Sequence, residues 1–125
     1  MNVFFLLAAL LILLLSVAHA VWGERKVFQI LTTQTLDPEI YLSVYVPWHQ
    51  LTYILALSGV ALIVAAFDDS LEAIAVFVLG IVVGNLGVFV ATCVIKKQTE
   101  MFSKTVPQTI LFSVLIGLLI VGIVS

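Results

Sequence analysis

Two histidines and a glutamate, His19, His49 and Glu24, are the side chains of this sequence best suited to chemistry at a buried site. Two imidazoles and a carboxylate at one depth are the ligands that zinc or iron prefers, with Tyr53, Cys93 or water for the remaining positions. Two facing histidines would also suit a haem held between helices. A further reading needs no ligand: each imidazole hydrogen-bonds the other, Glu24, Gln50 or a backbone carbonyl, and the bonds clamp two helices together. No serine or cysteine can be assigned as a nucleophile beside a histidine from spacing, so no catalytic residue is named. The single Cys93 has no C-x-x-C or H-x-x-C partner, and P-loop, H-E-x-x-H and C-x-x-C-H motifs are absent.

The elements that must position these residues follow from composition. Of 125 residues 63% are hydrophobic and 10% charged, with a mean hydropathy of +1.30. Water-soluble chains carry about 25% charged residues, so this chain is solvated by lipid. Seven acidic against five basic residues leave no basic excess for nucleic acid. Four stretches, Val3–Trp22, Trp48–Phe67, Ala73–Ile95 and Val106–Val124, contain no Asp, Glu, Lys or Arg. Each approaches or exceeds the ~20 helical residues that cross a hydrocarbon core of about 30 Å. Their apolar character on every face excludes the alternation of a β-barrel. The expected fold is therefore all-α, a polytopic four-helix membrane bundle in one domain, 1–125. Ala18-His19-Ala20 has the small-x-small pattern of a signal-peptide cleavage site, but no Lys or Arg precedes the apolar run, so the first span is expected to be retained.

Between the first two spans, Asp37-Pro38-Glu39 has the N-cap, N1 proline and first-turn acid of a helix start. The apolar, Tyr-rich run that follows is expected to form a short interfacial helix or to lengthen the second span, with Pro47 kinking or restarting the helix. Arg25, Lys26, Lys96, Lys97 and Lys104 all lie after the first or the third span, whereas the second connection, Asp68-Asp69-Ser70-Leu71-Glu72, is purely acidic. The positive-inside rule then puts both basic loops in the cytoplasm and both termini outside.

Sorted by depth on that topology, the polar residues are lopsided. Residues 3–15, 59–67, 73–84 and 114–124, the outer half, hold no His, Asn, Gln, Ser or Thr. A through-pore needs polar groups along its whole length, which argues against a channel made by one chain. Ala9, Ile12, Ser16, His19 and Gly23 follow at helical steps, as do His49, Thr52, Tyr53, Ala56 and Gly59. Small stripes mark helix contacts in membranes, so both histidines are expected to face the bundle, about 3 Å apart in depth. Glu24, five residues past His19, lies about 140° around an ideal helix and joins them only if the helix loosens at Gly23. Gly80, Gly84 and Gly87 line the third span for close packing within the bundle or between chains. Asn85 and Thr92 are read as interhelical hydrogen-bonding groups, and Thr52 and Tyr53 as polar neighbours of the histidines.

His19-Ala-Val-Trp-Gly23-Glu24, with Trp48-His49 opening the second span, resembles a family of small four-span bacterial membrane proteins that shows H-x-x-x-G-E at the end of the first helix and W-H at the start of the second. The resemblance implies the same architecture and singles out His19, Gly23, Glu24, Trp48 and His49. That family often carries a His before the Pro that opens the last helix, where this chain has Val106 before Pro107. The resemblance implies no activity.

Two functions remain for the whole protein. One is a metal- or cofactor-binding membrane protein with a His/Glu site on the cytoplasmic side. The other is a noncatalytic subunit or assembly factor, or a homo-oligomer, with the histidines as a structural clamp and the glycine face as its docking surface.

Overall fold

A computed structural model describes all residues, 1–125, as helices and short connections without any strand. Helix α1 (Val3–Trp22) passes into a π-helical segment (Gly23–Phe28) and one further turn, α2 (Gln29–Thr32). Helix α3 covers Pro38–Phe67, α4 Glu72–Ile95, α5 Met101–Lys104 and α6 Val106–Val124. Four of these runs are long and apolar enough to cross a membrane. The chain is an all-α membrane protein.

Helix ends follow local chemistry. Asp37 Oδ1 accepts from Glu39 N at 2.9 Å and Pro38 takes the first position of α3. The helix that starts there does not stop at Pro47, so 38–46 lengthens the second membrane helix instead of forming a separate one. Proline removes one i−4 bond, the one that would end on the Ser43 carbonyl, and Ser43 is exposed. The 30 residues of α3 reach about 45 Å, well beyond a 30 Å hydrocarbon core.

Asn2 joins three helix ends. Its Oδ1 accepts from Phe4 N and Phe5 N at 3.1 and 3.2 Å, capping α1. Its amide Nδ2 donates to Gly122 O of α6 and its backbone N–H to Ala66 O of α3, each at 2.7 Å. Two carbonyls of C-terminal helix turns thereby accept from one residue, Gly122 O also accepting from the Ser125 hydroxyl at 3.1 Å.

Packing is tightest towards this end of the bundle, where the acidic connection lies. Helix α1 packs on α3 and α6, and α4 packs on α6 and more sparingly on α3. Ile12, Leu62, Leu115 and Leu119 are fully buried among Ala8, Ala9, Ala65, Ala66 and Ala75, whose small side chains let the backbones approach. At Gly59 a Cβ would stand 2.7 Å from Leu13 Cγ, and at Gly122 2.6 Å from Phe5 Cδ1. Towards the basic end the bundle loosens: no residue of α4 from 83 to 92, nor of α6 from 106 to 111, is buried. There the α1–α3 pair is held by a seam of polar and aromatic side chains.

Candidate functional site

The seam begins with the change of helical pitch at Gly23. A Cβ there would stand 2.7 Å from Trp48 Cε2, so only glycine lets the indole lie against α1 at this level. Trp48 Nε1 donates to His19 O at 3.1 Å, and its rings stack on the His19 imidazole at 4.2 Å with 12° between planes. The Thr52 hydroxyl donates to Trp48 O at 3.2 Å, leaving its lone pairs for His19 Nδ1 at 2.9 Å. Buried Ser16 donates to Thr52 O at 3.0 Å, so α1 and α3 are tied at two successive turns.

One turn further out, the wider i→i+5 winding of the π segment brings Glu24 against α3. Glu24 Oε1 accepts from His49 Nε2 at 2.9 Å and from the Tyr45 hydroxyl at 2.8 Å. Buried Phe28 lies edge-on to Tyr45 at 4.6 Å and stacked with His49 at 5.8 Å, fixing the orientation of both rings. This outer cluster is partly open, the His49 and Glu24 side chains being 32% and 49% exposed. Glu24 makes no ion pair with Arg25 or Lys26, whose side chains are exposed.

His19, Glu24 and His49 thus share the seam but not one set of partners. His19 bonds Thr52, whereas His49 bonds Glu24. No three His, Cys, Asp or Glu side chains come together anywhere in the chain as a group that could hold a metal ion. Nor does the chain match any family model, curated protein or solved structure.

The other residues singled out by sequence divide. Thr52 is in the seam and Gly23 beneath Trp48. Tyr53 is 67% exposed and its hydroxyl has no partner. Asn85 donates to Ile81 O of its own helix at 2.8 Å, and Thr92 is exposed, so neither bonds across helices. Around Gly80, Gly84 and Gly87 an added Cβ would meet nothing within 4 Å, so this stripe makes no close packing inside the bundle. Tyr45 and Phe28 belong to the seam although spacing did not single them out, whereas Ser16 lies on the stripe that helical steps drew through His19. The usable signal was the four-residue step from Tyr45 to His49, which puts a phenol on the imidazole's face of the helix.

Proposed function

We propose that this protein is a noncatalytic subunit or assembly factor of a membrane complex, in which the His19–His49 seam clamps α1 to α3 and the Gly80–Gly84–Gly87 face of α4 docks the partner. In this reading it sits in a bacterial plasma membrane, as the family resemblance implies, with both basic loops in the cytoplasm, the side that the distribution of Lys and Arg favours. The observation that carries the reading is a contrast. His19 Nδ1, Thr52 Oγ1 and Trp48 Nε1 find partners within the chain, whereas three glycines in one helix have nothing against them. Lipid solvates apolar side chains well, so a bare glycine stripe gains nothing against acyl chains and gains dispersion contacts against another helix.

The test is native size in mild detergent, by crosslinking or light scattering. Wild type is expected in an assembly larger than one chain, whether with itself or with other subunits. Gly84→Leu is expected to release a folded single chain with unchanged helical content, because its Cβ meets nothing within the bundle. A wild-type chain that is already monomeric, or a Gly84→Leu assembly of unchanged size, overturns the docking role.

A further inference from the structure

We propose that Glu24, His49 and Tyr45 form a binding site for one first-row transition-metal ion, a site that excludes His19. The third donor beside the carboxylate and the imidazole is a phenol, not a second histidine.

The argument is geometric. Glu24 Oε1 lies 2.9 Å from His49 Nε2 and 2.8 Å from Tyr45 Oη. Ligand atoms at 2.0–2.2 Å from one ion stand roughly 2.9–3.4 Å apart in octahedral or tetrahedral arrangements. Both measured separations from Glu24 Oε1 are therefore close to those between ligands of one ion. Tyr45 and His49 are four residues apart on α3, the spacing that aims two side chains from one helical face at one ion. The carboxylate comes from a different element, the π segment, so the three donors surround the ion from two sides.

Two further features suit an ion. Glu24 Oε2 makes no hydrogen bond, so the carboxylate has capacity left. An open groove along α3 lined by Tyr45, Val46, His49 and Gln50 leaves room for water as the remaining ligands. His19 stands outside this cluster: its Nδ1 bonds Thr52, its ring stacks on Trp48, and it is not grouped with Glu24 and His49. One imidazole and two oxygen donors without a thiolate favour iron or zinc over copper(I).

Binding balances simply. The metal takes His49 Nε2, whose hydrogen leaves while Nδ1 takes one up from water; the phenol gives its proton to solvent. One proton is released per ion, and no electron is transferred.

The test titrates the purified full chain in mild detergent with Zn2+, and separately with Fe3+ supplied as its citrate. One Zn2+ is expected to bind per chain, with affinity falling at least tenfold in Glu24→Gln, His49→Ala and Tyr45→Phe and unchanged in His19→Ala. The Fe3+ form is expected to show a visible phenolate-to-iron charge-transfer band that Tyr45→Phe abolishes. Circular dichroism of each variant in chelator separates lost binding from lost folding, and Tyr45→Phe removes one oxygen without altering the ring packing. Absence of saturable binding by wild type, or a dependence on His19 equal to that on His49, or a band that survives Tyr45→Phe, overturns the site. None of these outcomes depends on the docking face of α4.

Discussion

Gly23 and Trp48 are a matched pair: the indole of one helix occupies the space that a side chain on the other would need, with Cε2 2.7 Å from the position of a Gly23 Cβ. The indole then makes its N–H bond to His19 O and its stack on the His19 ring. Gly23→Ala therefore has to displace Trp48, and overpacking of this kind costs about 1–3 kcal/mol. A clear fall in Tm is expected for Gly23→Ala, whereas Gly84→Ala, with open space at its Cβ, leaves Tm unchanged. Equal effects of the two substitutions would contradict the pairing.

At the opposite end of the bundle Asn2 carries comparable weight. Its side chain caps α1 and reaches Gly122 O, so Asn2→Ala removes both the cap and a bond to α6 while leaving the backbone bond to Ala66 O. Loss of a cap alone costs about 0.5–2 kcal/mol. Asn2→Asp is the informative comparison, since a carboxylate can still cap but cannot donate to Gly122 O. The expected order of thermal stability is wild type, Asn2→Asp, Asn2→Ala.

How much of this was legible depends on what constrains each feature. Lipid imposes a length and an apolar composition on a spanning helix, so α1 and α4 end just before the charges begin, α6 starts just after Lys104, and the last residue of α3 was equally clear. The start of α3 was ambiguous because Pro47 forbids only one backbone bond, and whether a helix survives that loss depends on the exposure of Ser43, a tertiary property. The seam was half legible. Helical steps put His19 and His49 on small stripes, but an ideal α-helix points Glu24 away from them. The π segment changes the turn at that residue, and no residue type announces a π turn. Asn2 was missed although Asn before an apolar run is an N-cap signal. The glycines of α4 show why a small stripe is a prediction of closeness without a partner: the stripe exists, and nothing in this chain packs against it.

The acidic connection responds to pH in a defined direction. Asp68 accepts from the Ser70 hydroxyl at 2.6 Å and from Ser70 N at 3.0 Å, and these bonds hold its carboxyl below the ordinary carboxylate range. A carboxylate whose pKa is lowered on folding contributes stability that is complete above its unfolded pKa and disappears as pH falls through the folded one. The short 3₁₀ turn Asp69–Leu71 should therefore loosen only in strong acid. Amide exchange in this turn, followed by mass spectrometry from neutral to acid pH, is expected to show faster opening at low pH in wild type. Asp68→Asn is expected to flatten that dependence; an unaltered profile would remove Asp68 from the account.

Orientation in the membrane is the remaining prediction, and the fold sharpens it. Asn2 bonds Ala66 O and Gly122 O, so the start of α1 and the ends of α3 and α6 lie together, which puts the two basic connections at the other end. All five Lys and Arg side chains are exposed there, while the opposite connection carries Asp68, Asp69 and Glu72. Positive charge resists translocation, so the basic end is expected in the cytoplasm. The native thiol is buried and is first replaced, as Cys93→Ala, so that it does not report. In that background Ser125→Cys is expected to react with an impermeant maleimide on intact cells, and Lys97→Cys only after permeabilisation. Lys97 stands in an exposed turn with φ 56°, so failure to label it in intact cells reflects sidedness and not burial. Labelling of Lys97→Cys from outside would reverse the orientation and move the whole His19–His49 seam to the outer leaflet.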